Sequence, residues 1–169
     1  MTASLFLLLD AARCGLDAIE QAEGLCTGQH DSLYLFNKDN EHLKGVAPYI
    51  FSLEEGLKDW WLENGWGKAW GVVALTDKNF NECRRHFRKF LLVQTEERKE
   101  LYFRFYDPRV LKIFLPTCDR TQILEFFGPV KYFIVEGSTR DEAIRFWQEN
   151  GLLKQLTGSA NEIFVSKVM

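Results

Sequence analysis

Residues 101–116 read LYFRFYDPRVLKIFLP, and the fold turns on how this stretch is read. Leu101, Phe103 and Phe105 alternate with Tyr102, Arg104 and Tyr106, the period-two pattern of a strand with two unlike faces. Asp107 stands where a helix N-cap belongs, and Pro108 takes the first helical position. The carboxylate can accept hydrogen bonds from the free amides of the first turn, and Pro has no amide there to leave unpaired. Val110, Leu111 and Phe114 give the helix an apolar stripe, and Pro116 ends it. The stretch predicts a strand that runs straight into a helix.

Arg104 is out of place on a plain core strand, because it shares a face with Tyr102 and Tyr106. A guanidinium on a half-buried strand needs a carboxylate, a carbonyl or an aromatic face, since an unpaired buried charge is very costly. Arg109, just past the cap, is a second cation close by. Architecture explains these residue types: Asp107 caps the helix, Arg104 pairs inside the protein, and the unit sets a corner of the fold.

The rest of the chain fits one domain. Its 169 residues are enough for a core of ordinary size. With 14 Phe, 5 Trp and 5 Tyr it is rich in aromatic residues. The net charge of −3 gives no pull toward nucleic acid or a membrane surface. Cys14, Cys26, Cys83 and Cys118 are scattered without paired spacing, which reads as reduced thiols in a cytoplasm. The apolar run at residues 5–9 is too short to span a bilayer and follows no Lys or Arg. It reads as a buried first strand rather than a targeting segment.

Along the chain, residues 14–22 predict a short helix with Leu16 and Ile19 inward and Gly24 beyond its end. LYLF at 33–36 predicts a second strand, and residues 37–45 a polar turn or a single helical turn. Residues 48–53 (PYIFSL) read as extended and edge-like, because Pro48 cannot donate to a ladder. A helix follows with Leu53, Leu57, Trp60 and Trp61 along one side, closed by Asn64-Gly65 in a left-handed cap. Residues 66–75 (WGKAWGVVAL) claim the sheet centre. Asp77 is the expected cap of a helix that turns Phe80, Cys83, Phe87, Phe90 and Leu91 inward, and residues 96–100 form a charged turn. Asp119 and Gln122 make a capping box ahead of Ile123, Leu124 and Phe127, closed by Gly128-Pro129. Residues 130–135 read as a strand. Thr139 and Glu142 make a second candidate box, for a helix over residues 139–150 carrying Ala143, Ile144 and Trp147 and broken by Gly151. Residues 163–168 read as a last strand. The expected architecture is a single α/β domain with a mixed β-sheet covered by helices.

Little in the chain points to chemistry. Gly65, Gly67 and Gly71 do not form a dinucleotide loop, because a helix precedes them and a strand follows, the reverse of a phosphate cradle. His30 lies four residues after Cys26, but His42 and His86 lie elsewhere, so no metal site is expected. No nucleophile elbow is present, and the carboxylate pairs Glu54-Glu55 and Glu96-Glu97 fall in solvated ends or turns. No catalytic residue and no cofactor is assigned. Arg84, Arg85 and Arg88 lie opposite the apolar side of the helix over residues 79–92, the usual wetted face and also a candidate grip for an acidic partner segment. Trp60, Trp61, Trp66 and Trp147 are candidate partner anchors, with core packing the default.

Residues 103–117, FRFYDPRVLKIFLPT, resemble the signature of the domain of unknown function 4123 family. Weaker pieces follow the family's order: LFLLLD at 5–10, LYLF at 33–36, VAPYIFSL at 46–53, GWGKAWGVV at 65–73, RRHFRKFL at 84–91 and FFGPV at 126–130. The resemblance spans residues 5–135, and the positions matching the signature are Trp70, Gly71, Arg104, Tyr106, Asp107, Pro108 and Arg109. It implies a cytoplasmic bacterial adaptor or chaperone for the type VI secretion system. Such a protein holds one effector and helps mount it on the spike protein, with no cofactor, nucleic acid or membrane insertion. It also implies an adaptor domain over residues 1–135, leaving 136–169 as a short C-terminal helix and possible strand packed on it. Many members carry a longer second lobe there.

On this reading the Arg104 and Arg109 corner holds the scaffold. A groove near that corner, or the C-terminal helix over residues 139–150, takes the client. Exposed aromatics in a groove rimmed by charge suit that task, since burial supplies affinity and charge selects the partner. The alternatives are an immunity protein that neutralises a toxin, and a small hydrolase with a dispersed site.

Overall fold

The computed structural model describes residues 2–165. β1 (Ser4–Asp10) leads through α1 (Ala11–Cys14) into α2 (Leu16–Leu25). β2 (His30–Ser32), a 3-10 turn (Glu41–Val46) and β3 (Pro48–Ser52) follow. Next comes α3 (Glu55–Trp60), which widens into a π turn (Trp61–Gly65), and then β4 (Gly71–Thr76) and α4 (Phe80–Arg88). A ribbon of β5 (Leu92–Gln94) and β6 (Glu100–Tyr102) precedes α5 (Pro108–Phe114), a 3-10 turn (Leu115–Thr117) and α6 (Arg120–Phe127). The chain then runs through β7 (Val130–Glu136), β8 (Glu142–Glu149), β9 (Leu152–Ser159) and α7 (Ala160–Val165).

The fold is a single α/β domain, as expected, built on a seven-stranded sheet in the order β2-β3-β1-β4-β7-β8-β9. Every pairing in it is antiparallel, so the sheet is not mixed. β4 lies at the centre, where the sequence places it, with Leu5 opposite Leu75 and Leu9 opposite Gly71. Strand periodicity divides the core. Phe6, Leu8, Val72, Ala74, Phe133 and Phe146 pack under α4, α5 and α6. Leu5, Leu7, Leu9, Val73, Leu75 and Ile134 face α1, α2, α3, Trp61, Trp66 and α7. Both faces of β1 are covered, which is why residues 5–9 read as one unbroken apolar run.

Several expected elements are placed differently. The strand predicted over residues 101–106 stops at Tyr102. Phe105 and Tyr106 instead turn into the core, being fully and almost fully buried. LYLF is not a strand; β2 lies just before it, while Leu33 drops into the core and Tyr34 stacks on Tyr102 at 5.2 Å. The first predicted helix is broken at Gly15 (φ 83°), its second part includes Gly24, and Leu16 is exposed. After α3 the left-handed positions are Gly67 (φ 86°) and Ala69 (φ 56°), not Asn64-Gly65. Asn79, not Asp77, caps α4 in a reciprocal box with Glu82, and Asp77 pairs with Lys131 at 3.2 Å.

The largest correction concerns the C-terminal part. The helix predicted over residues 139–150 is β8, and a two-residue turn leads it into β9, with Asn150 (φ 53°) and Gly151 (φ 80°) both left-handed. That is the turn whose twist suits a tight hairpin. Residues 142–159 therefore extend the main sheet as a hairpin, and the helix that packs on it in this part is the later α7. The predicted last strand begins inside α7, and residues 166–168 lie outside the described residues.

Gly71 has a role that only glycine fills. A Cβ there would collide with the Leu8 carbonyl of the neighbouring strand, and backbone cannot swing aside as a side chain can. Gly71→Ala is expected to lower unfolding free energy by about 3 kcal/mol or more in urea titrations. Gly24→Ala, in open space within α2, is expected to raise it by about 0.5 kcal/mol.

Candidate functional site

Arg104 lies between two buried aspartates. Asp10, the last residue of β1, is fully buried; it forms an ion pair with Arg104, and its Oδ1 accepts the Ala12 amide at 3.0 Å to cap α1. Asp107, 1% exposed, caps α5 by accepting the Arg109 amide at 2.9 Å. Arg109 also grips it with Nε at 3.1 Å and a terminal nitrogen at 2.7 Å, while Arg104 stands 3.7 Å from the same carboxylate. The corner read from the sequence is thus present, with its partner supplied from 94 residues away.

Burial pushes the Asp10 carboxyl up from its ordinary value against the opposing pull of Arg104. For Asp107 burial also pushes upward, but the hydrogen bonds and charge of Arg109 outweigh it and hold the group below its ordinary value. Burial raises the Tyr106 hydroxyl, and the neighbouring Tyr34 adds to the shift.

The candidate anchors divide sharply. Trp61 is fully buried and Trp66 is 4% exposed, with its indole nitrogen donating to the Arg140 carbonyl at 2.8 Å, so neither offers a docking surface. Trp60 is half-buried and donates to Gln21 at 3.1 Å. Trp147, on β8, is half-buried with its ring edge-on to Tyr132 at 6.1 Å. Arg84 pairs with Asp31, and Arg88 donates to the carbonyls of Leu33 at 2.9 Å and Ser32 at 3.2 Å. These two fasten β2 to α4, while Arg85 points outward. Sequence reasoning missed Glu136, a buried carboxylate that accepts the amides of Gly67 at 2.8 Å and Ala69 at 2.9 Å. It holds the loop carrying Trp66 and Trp70. No local pattern signals it, since its partners lie 69 and 67 residues away.

An open groove lies away from the arginine corner. It has a volume of about 940 Å³ and lies at the opposite end of β1. Leu5, Leu53, Leu75, Phe80 and Tyr132 form its apolar lining, with Glu54 and Lys131 among its polar groups. The helix expected over residues 139–150 to take a client is instead the strand β8.

Burial disfavours the charged forms of the four thiols and of His86. Burial pushes all four thiols up, and for Cys14 it and the nearby Asp10 carry the thiol to about 12. Burial lowers His86, whose Nε2 lies 2.7 Å from the Phe126 carbonyl. Among the described residues no group of three or more His, Cys, Asp or Glu side chains could hold a metal ion, and no helix is long and apolar enough to cross a membrane.

The sequence profile described as "Domain of unknown function (DUF4123)" matches residues 5–125. The chain belongs to this family. No curated protein and no solved structure gives a significant match. In this family member the signature positions have architectural roles. The Trp70 carbonyl accepts the Asp10 amide at 2.8 Å, Gly71 lets β4 approach β1, and Pro108 opens α5 beside its cap.

Arg104→Ala leaves Asp10 buried without its counter-charge. The loss is expected to be about 2–3 kcal/mol at pH 7, reduced from the fully buried case by the partial exposure of Arg104. Without the guanidinium, the folded-state pKa of Asp10 rises further above its unfolded value. The penalty is therefore full above the folded value and shrinks as pH falls through it toward the unfolded one. Urea titrations from pH 7 to pH 4 read both effects. A fully stable variant, or a deficit unchanged across that range, would show that the corner does not hold the scaffold.

Proposed function

We propose that this protein is an adaptor of the bacterial type VI secretion system, which holds one effector in the cytoplasm and helps load it onto the spike protein. The resemblance carried by residues 103–117 suggests the system, and membership of the family that this segment resembles supports it. The observation that carries a binding role is the open groove at the far end of β1, with its apolar lining and its polar groups of both charges. A client segment laid there would bury apolar surface for affinity, while Glu54 and Lys131 would favour one charge pattern over others. The strongest charged groups support the same reading, because Asp10, Asp107, Arg104 and Arg88 are tied to one another or to backbone.

Co-expression with the effector encoded beside it tests the proposal. The effector is expected to co-purify, and the spike protein to join the complex. Tyr132→Asp, on a half-buried groove residue, should weaken capture at least about tenfold while the far-ultraviolet circular dichroism stays native. Deleting the gene should stop delivery of that effector and leave other effectors unaffected. Normal delivery after deletion, or protection of cells against the active toxin by this protein alone, rejects the adaptor role.

A further inference from the structure

The two edges of the sheet are finished in different ways. At one end β2 has three residues, carries His30 and Asp31, and is fastened by Arg84 and Arg88. Short, charged and covered edges are how proteins prevent strands from pairing with other chains. At the other end β9 has eight residues, no proline and one charged side chain, Lys154. Most of its length is exposed, including Leu152 at 61% and Leu156 at 47%.

The register shows which backbone groups are open. Glu149 faces Leu152 across the two-residue turn, so that pair is hydrogen-bonded, and bonded pairs alternate from there. Leu152, Lys154, Leu156 and Gly158 are thereby satisfied by β8. Leu153, Gln155 and Thr157 direct their amides and carbonyls to the outer edge, where no strand pairs with β9 among the described residues. Six backbone groups, two from each residue, are in line to accept another strand.

We propose that the occupant of this edge is a second copy of the chain, joined β9 to β9 about a two-fold axis at Leu156 to make one continuous sheet. This register places Gln155 opposite the partner's Thr157 in bonded pairs, and Leu156 against the partner's Leu156 where side chains approach most closely. Lys154 then lies opposite the partner's Gly158. A Cβ at Gly158 would meet the Glu162 carboxylate at 3.6 Å, so that carboxylate stands over the glycine. Each Lys154 therefore meets the partner's Glu162, and the two-fold axis repeats the contact. The one charge on the edge becomes part of the pairing. Strand pairing with two leucines at its centre is a small interface, which fits a reversible dimer with Kd on the order of 10 μM.

Sedimentation velocity of the purified full chain, from about 1 to 300 μM, reads the association. The expected result is a shift from 19.7 kDa toward twice that mass. Gln155→Pro removes an outward amide, leaves the β8 ladder intact, and should give a monomer with native circular dichroism. Lys154→Glu, on an exposed side chain, should weaken the dimer at least about tenfold by setting it against the partner's Glu162. The double variant Lys154→Glu with Glu162→Lys should restore it, which a merely structural effect on α7 would not do. A monomer throughout the series overturns the proposal, including one whose edge is taken by an effector strand. So does a dimer indifferent to Lys154→Glu or not rescued by the charge exchange.

Discussion

The pairing of Arg104 with Asp10, beside Asp107, is the constraint on which the rest of the structure depends. Each aspartate already caps a helix, α1 in one case and α5 in the other. One guanidinium thus ties the end of a central strand to the starts of two helices on opposite faces of the sheet. A buried ion pair of this kind adds little net stability over well-packed apolar groups, but a broken one is severely unfavourable. Its effect is to exclude arrangements in which the corner is absent. Near it Tyr34 stacks on Tyr102 at the base of the β5–β6 ribbon.

This corner was legible because its signals are local. Asp107 before Pro108, and Asp119 three residues before Gln122, are caps that any helix start would recognise, and both form. The identity of Arg104's partner was not legible, because nothing in residues 101–109 refers to Asp10. The same reason hid Glu136. Periodicity failed where two periods fit. Ala143, Ile144 and Trp147 satisfy a helical stripe, yet Ile144 and Phe146 on one face with Ala143 and Arg145 on the other satisfy a strand equally well. Asn150-Gly151 decides between them, since two consecutive left-handed residues make a hairpin turn and not a helix end. β2 had no signal to find, because a three-residue edge strand of His, Asp and Ser carries no apolar alternation.

The location of the groove follows from the same geometry. Asp10 fixes one end of β1, so side chains there are committed to capping and ion pairing. The other end, at Leu5 and Phe6, carries no such network, and apolar strand ends from β1 and β4 meet α4 and the start of β7. A scaffold that concentrates its buried ion pairs at one end leaves the opposite end without that constraint.

The part of the chain beyond the family match also belongs to the core. The match ends at residue 125, before β7, β8 and β9, which supply three of the seven strands. Without β7, the fully buried β4 would become an edge, exposing unpaired amides and carbonyls along residues that are apolar on both faces. Phe133 of β7 stacks on Phe126 at 5.3 Å and meets Phe127 edge-on at 5.2 Å, so α6 itself packs on a strand outside the matched segment. Glu136 then reaches back to hold the loop between Trp66 and Trp70. The last three strands complete the hydrogen bonding and the apolar burial of the matched segment, and a chain cut at residue 125 would lack the partners its own central strand requires.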